Sequence, residues 1–253
     1  MIVDTFMFYN ELDVLELRLT VLAPFVDLFV LVEAEVNHVG GPKELFFEKN
    51  KERFSEWLPK IQHIIVKAEE CPTDENPWSR EKYQRSCILK GLEGVDNTAI
   101  IMVSDLDEIP DMEKIRWEHM TPVVCSIHMY MFEYSFKYIF TGEPWIGTVI
   151  TNCEIFKRVG PNYLRDNRWK FPVLQNSGWH LSSFGNSKHV YNKLQTYAHG
   201  KDAERASETP ELFDKYISEG IHLDGKTELI PRPDDIPLPA SIDVLRRVNL
   251  FHE

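Results

Sequence analysis

The chain has 253 residues, 43% hydrophobic and 27% charged, which is ample apolar material for a sizeable core and excludes a disordered polymer. Its formal charge of -12 excludes a nucleic-acid groove or an anionic membrane surface as the main partner, because both are held by basic patches. Any phosphate-bearing ligand of so acidic a chain must be met by a local cation, either a few Arg or Lys side chains or a bound metal.

Ile2 to Tyr9 reads as a first strand. Leu12, Leu15, Leu19 and Leu22 recur at helical spacing before Pro24, and Leu28 to Val32 is an unbroken apolar run ending in Glu33, which together make a β-α-β unit. His63 to Val66 is a third short strand, and Ser79 is expected to cap a helix running to about Leu92. Thr98 to Val103 reads as a buried central strand. Beyond it, Asp111 is expected to cap a short helix, and Val123 to Phe136 alternates like a strand. Further strand signals lie at Trp145 to Thr151 and Trp179 to Ser183. Helices are expected from Ser187 to His199, stopped by Gly200, and from Thr209-Pro210 to just before Gly220. Pro231 to Pro239 reads as an extended arm packed over the domain. No linker divides the chain, so one domain is expected over 1–253, of α/β class with a mixed, mostly parallel central sheet flanked by helices.

Cys71, Cys87, Cys125 and Cys153 stand far apart with no CxxC spacing, which predicts buried free thiols rather than a zinc site. The sequence passes from Met1 straight into Ile2-Val3 without a signal segment or an apolar anchor, so a soluble, cytoplasmic protein without a membrane span is expected.

Ligands of open α/β sheets gather beyond the carboxyl ends of the strands, and the residues directly after Val103 are Ser104-Asp105-Leu106-Asp107-Glu108-Ile109-Pro110. Asp105 and Asp107, two residues apart at a strand end, are suited to a hard cation such as Mg²⁺ or Mn²⁺ that is shared with a diphosphate. Equally, the two acids are read as a solvated turn capping a helix after Pro110. Trp78, Glu81 and Arg85 share one helical face, with Glu81 and Arg85 paired at i,i+4. That segment would present Arg80 or Arg85 to a phosphate and Trp78 to a ring, or else is a surface ion pair beside a packed Trp. In Gly178-Trp179-His180, Trp179 is a candidate to stack on a sugar and His180 a candidate third metal ligand; a satisfied structural His is the alternative. Glu33 ends the second strand on the same sheet edge as Asp105, placed either to bind nucleotide or to face solvent. No GxSxG, HExxH, P-loop or dinucleotide-binding glycine pattern occurs.

The segments Asn10 to Leu19, Phe29 to Ala34, Ser104 to Pro110 and Gly178 to Ser182, in this order, resemble glycosyltransferase family 17. These are the β-1,4-mannosyl-glycoprotein β-1,4-N-acetylglucosaminyltransferases, which add bisecting GlcNAc to N-glycans. The resemblance implies a GT-A type fold, a UDP-GlcNAc-like donor, a divalent metal, a carbohydrate acceptor and inversion at the anomeric carbon. Residues up to about 110 would form the nucleotide-sugar half, and residues from about 111 onward the acceptor side. Asp107 would contact the metal, and Asp105 the ribose or a metal-bound water. The eukaryotic enzymes carry a membrane anchor and a longer lumenal domain, whereas this chain begins at the first catalytic-domain strand, so a bacterial or viral glycan-building enzyme is expected. Inversion requires a carboxylate to take the acceptor proton. Glu108, Glu133, Glu154 and Asp166 are the candidates. Asp166 is preferred, with Arg165, Asp166 and Arg168 equally read as a surface salt network. The rival readings are a nucleotidyltransferase or nucleotide-sugar hydrolase on a similar fold, and a carbohydrate-binding protein without catalysis.

Overall fold

The computed structural model describes residues 1–115, 124–196 and 208–251; the expected strand residue Val123 and the expected helix end from 197 to Gly200 lie outside them. The N-terminal unit forms as its pattern demands. β1 (Ile2–Phe8), α1 (Leu12–Leu22) and β2 (Leu28–Ala34) are followed by the short α2 (Phe46–Lys49) and by β3 (Ile61–Val66). Then come α3 (Pro77–Ser86), β4 (Ile100–Asp105) and β5 (Glu108–Pro110). Next are β6 (Cys125–Glu133), β7 (Tyr138–Ile139), β8 (Trp145–Asn152), α4 (Cys153–Val159) and α5 (Pro161–Asp166). β9 (Val173–Leu174), β10 (Gly178–Ser182), α6 (Ser187–Thr196), α7 (Pro210–Glu219), β11 (Ile230–Pro231) and α8 (Ile242–Arg247) complete the chain.

The sheet runs β11-β7-β6-β8-β4-β1-β2-β3, with β9 and β10 also on β6, and β5 on β10. β3, β2, β1 and β4 are parallel, whereas β8 is antiparallel to both β4 and β6. Inner strands covered on both faces are apolar throughout, which is why β1, β2 and β4 read as near-continuous hydrophobic runs. Successive side chains divide between the faces. Phe6, Phe8, Phe29, Leu31 and Met102 pack with Leu15 and Leu19 of α1, while Val3, Val30, Val32, Ile101 and Val103 pack with Ile88 and Phe156. This helix-covered mixed sheet is the expected α/β architecture.

Several local expectations are corrected. Asn76, not Ser79, caps α3: its side chain accepts from the Trp78 amide at 3.1 Å, and Pro77 takes the first helical position, where its missing N–H costs nothing. Among the described residues, 111–115 form a turn and not the expected helix start, with the Asp111 carboxylate accepting from the Glu113 amide at 3.3 Å and lying 3.5 Å from Lys114 Nζ; the rest of the expected helix falls outside the described residues. α8 is an addition, capped by Ser241. α7 is capped by Thr209 and ends at Gly220, whose φ of 67° lies in the left-handed region that glycine adopts without strain. The proline arm does pack over the domain, where the Pro237 carbonyl accepts from Trp179 Nε1 at 2.7 Å. All four cysteines are free and buried. Among the described residues no helix is long and apolar enough to cross a membrane.

Candidate active site

The acidic turn is built from below by one side chain. Arg18 lies in the apolar stripe of α1, three residues after Leu15 and four before Leu22, and is wholly buried. Its guanidinium grips Asp4 of β1 with both oxygens, at 2.8 Å and 2.7 Å, and donates to Ser104 Oγ at 2.6 Å. Nη1 then donates to the carbonyls of Asp105 (3.2 Å), Leu106 (3.0 Å) and Glu108 (2.6 Å). A buried Arg persists only when its donors are matched, and here they are spent on the inner side of the turn. With three carbonyls drawn inward, Asp105 and Asp107 are presented to the cleft.

Glu108 is fully buried and accepts both Arg165 nitrogens, Nη1 at 2.7 Å and Nη2 at 2.9 Å, together with Trp145 Nε1 at 3.0 Å and the Asp105 amide at 3.2 Å. The same Arg165 Nη2 reaches Asp105 at 2.6 Å. Arg165 is therefore a buried clamp on the acidic turn, not part of a surface network. Two of the three crowded acids, Asp105 and Glu108, are relieved by this cation. Asp107 takes Lys193 of α6 at 3.0 Å on one oxygen, and its other oxygen lies 3.6 Å from His180 Nε2. Trp145 stacks on the His180 ring at 4.2 Å with a 14° interplanar angle and so fixes its plane. His180 Nδ1 is buried with no hydrogen-bond partner.

Burial by itself would raise the Asp105 and Asp107 carboxyls. The guanidiniums around Asp105, Arg165 foremost, and the Lys193 ammonium beside Asp107 outweigh it and hold both below their ordinary 3.8. Burial pushes the His180 imidazole below its ordinary 6.5, opposed by Asp107, which favours the neutral ring that ligates cations. A carboxyl depressed in the folded state makes the unfolded chain bind protons first. Its stabilisation is therefore full above 3.8 and is lost as pH falls below that value. The urea midpoint is expected to drop between about pH 5 and pH 2, and to drop less in Asp105→Asn; equal profiles for the two proteins would contradict this assignment.

The structure distributes the other residues singled out in the sequence between the cleft, the core and the surface. Arg85 and Glu81 pair as expected, and Arg85 Nη2 comes within 3.9 Å of Asp105. Arg80 is buried and donates to the carbonyls of His38 (2.6 Å) and Asp74 (2.5 Å), so it positions the loop at the cleft wall and presents no free charge to a phosphate. Trp78 is half-buried at the start of α3 and is not part of the cleft wall. Glu33 is wholly buried, held by Lys43, the Phe47 amide and His63. The Trp179 indole turns into the core beneath the proline arm, away from the cleft. Asp166 pairs with Lys82 on the surface, both about half exposed, and Glu154 is exposed on α4. Sequence reading missed Arg18, Trp145 and Lys193. Only Arg18 carried a signal, a cation set in a leucine stripe. Trp145 and Lys193 reach the site from strand and helix far along the chain.

Asp105, Asp107, Trp145, His180 and Lys193 line one cleft of about 430 Å³, with Met7 and Tyr9 at the end of β1, the loop of Asn37 and His38, and Ser182 at the end of β10. This is the volume of a small-molecule site at the carboxyl edge of a parallel sheet. Among the described residues no three His, Cys, Asp or Glu side chains form a closed metal cage. The Asp107–His180 pair nevertheless fits an ion that keeps waters and draws its remaining ligands from a diphosphate, because one carboxylate and one imidazole face each other across the gap.

The fold and cleft are those of an α/β enzyme that works at the carboxyl edge of its sheet. The profile of glycosyltransferase family 17 matches residues 1–231, and the chain belongs to this family; it is a glycosyltransferase. No curated protein matches the sequence significantly. Among solved structures, HddC from Yersinia pseudotuberculosis is 11% identical over 76% of this chain and 97% of its own, with a TM-score of 0.42. CTP:phosphocholine cytidylyltransferase (LicC) from Streptococcus pneumoniae is 11% identical over 77% of this chain and 98% of its own, at 0.38. The galactosyltransferase LgtC, with donor and acceptor sugar analogs, is 13% identical over 81% of this chain and 82% of its own, at 0.36.

Proposed function

We propose that the chain transfers N-acetylglucosamine, or a related hexose, from a UDP-sugar to a carbohydrate hydroxyl with inversion at the anomeric carbon. The observation that carries this reading is the Asp107–His180 pair, 3.6 Å apart in the cleft beside Asp105. Asp107 and His180 would hold a divalent cation, Mn²⁺ or Mg²⁺, which when bound supplies charge stabilisation to the leaving diphosphate. Asp105, whose side chain is 39% exposed, is placed to receive the ribose or a metal-bound water. Lys193, near both Asp107 and Glu11, adds a cation on the phosphate path of an otherwise acidic protein. The half up to about residue 110 takes the nucleotide, and the half from about 111 takes the acceptor.

Thermal melting with UDP-GlcNAc, UDP-galactose, GDP-mannose and CTP, each with and without Mn²⁺, tests this reading. Ligand at about a hundred times its Kd stabilises the native state by about 2.7 kcal/mol. That corresponds to a rise of roughly 5–10 °C for a chain of this size, expected for a UDP-sugar only when Mn²⁺ is present. Stabilisation by CTP alone, with pyrophosphate released on turnover, would point instead to nucleotidyl transfer. A UDP-sugar effect indifferent to the metal would remove the cation from the proposal.

A further inference from the structure

His222 reaches the cleft on a built turn. Ile221 bridges to Glu228, the His222 amide donates to the Thr227 carbonyl at 2.8 Å, and Asp224 ties the turn through the Lys226 and Thr227 amides, both at 2.8 Å. Tyr134 donates its hydroxyl to the Ile221 carbonyl at 3.1 Å from a backbone with φ of 61°, a conformation that bulky residues rarely adopt and that marks a constrained position. The Phe140 ring packs on the imidazole at 4.3 Å. Behind it Glu133, the last residue of β6 and wholly buried, places one oxygen on His222 Nδ1 and receives the Leu223 amide on the other at 3.1 Å. A carboxylate so placed acts as acceptor, which makes Nδ1–H the donor and leaves the lone pair on Nε2. That nitrogen has no protein partner among the described residues, its side chain is 18% exposed, and it shares the cleft with Asp105, Asp107 and His180.

We propose that His222 is the general base that takes the acceptor proton, with Glu133 as its positioning partner; this rests on the glycosyl-transfer reading above. The acceptor O–H gives its proton to His222 Nε2 while the oxygen lone pair forms the bond to the anomeric carbon. The bond from that carbon to the diphosphate oxygen breaks, and its electron pair leaves with UDP. The imidazolium, balanced by Glu133, then returns the proton to solvent. The other acids are worse placed, including Glu81, which lines the cleft but is almost wholly buried and clamped by Arg85. Glu108 is sealed under Arg165 and Trp145, Glu133 is itself inaccessible, and Glu154 and Asp166 lie outside the cleft wall. Glu11 and Asp107 are engaged with Lys193, and Asp105 with Arg165.

The test measures transfer from UDP-GlcNAc with Mn²⁺ to mannose- and N-acetylglucosamine-terminated oligosaccharides, across pH, for wild type, His222→Gln, His222→Ala and Glu133→Gln. UDP affinity and melting temperature are read in parallel. In His222→Gln, kcat is expected to fall by about 10²-fold with UDP affinity unchanged. The wild-type rate is expected to fall on the acid side as the imidazole takes a proton. Glu133→Gln takes away the carboxylate that accepts from His222 Nδ1, so kcat is expected to fall there too with UDP affinity unchanged. Transfer by folded His222→Gln within about threefold of wild type, or a rate loss matched by lost UDP affinity, would overturn the base. So would a wild-type profile without the acid limb, which needs no variant to fold. A wild type that turns over no UDP-sugar would overturn the underlying reading and the base with it, whereas active variants beside an active wild type overturn the base alone.

Discussion

Asp107→Ala is expected to lose transfer by about 10⁴-fold while remaining folded, because several kcal/mol of charge stabilisation disappears from the reaction at tenfold per 1.36 kcal/mol. The substitution removes the only carboxylate facing His180 Nε2 among the described residues and frees Lys193 from its 3.0 Å pairing, so the cleft becomes more cationic and simple phosphate attraction is not what is lost. The fold is spared because the structural bond at this position is made by the backbone: the Asp107 carbonyl accepts from the Leu181 amide at 2.8 Å, joining the acidic turn to β10. Initial rates with Mn²⁺ titrated into wild type and variant, with circular dichroism of both, make the measurement. Near-normal turnover by the folded variant, with an unchanged Mn²⁺ dependence, would remove Asp107 from the reaction.

The second large effect is on stability. Arg18→Met is expected to cost about 3–5 kcal/mol, a large part of the roughly 5–15 kcal/mol that usually separates folded from unfolded chains, because it leaves Asp4 as an unpaired buried charge. It also strips the carbonyls of Asp105, Leu106 and Glu108 of the guanidinium that holds them inward. The double variant Arg18→Met, Asp4→Leu separates the two roles. Replacing both members of a buried pair with apolar groups is often neutral, so stability should largely return while activity stays low, since the turn still lacks its inward anchor. Urea unfolding of the four proteins of this cycle, with transfer rates, is the experiment. A single variant within about 1 kcal/mol of wild type would show that water or a rearranged side chain replaces Arg18.

The strands at β1, β2 and β4, the helix of α1 and the α7 boundaries at Thr209 and Gly220 were legible because each is written in local terms, as apolar runs, a 3.6-residue period or a capping residue. So was the place of Asp105 and Asp107, since a buried strand must deliver the residues beyond its end to the sheet edge. Where a helix start was expected at Asp111, the described residues 111–115 form a turn: an acidic residue after a proline favours a turn as readily as a helix, and β10 takes the neighbouring residues of β5 into a sheet pairing.

Sequence alone determined that an α/β chain of net charge -12 carries an acidic turn beyond a central strand, because hydrophobic period and strand-end position are properties of neighbouring residues. Which of its charged side chains face the cleft was decided only by the tertiary structure. Arg18 at the buried base of the turn, Glu108 sealed by Arg165 and Trp145, Trp179 turned into the core and His222 backed by Glu133 all depend on partners far away in sequence. The physical reason is that a charge can be buried only where a partner of opposite sign or a set of hydrogen bonds meets it, and the chain brings those partners together only when the sheet closes.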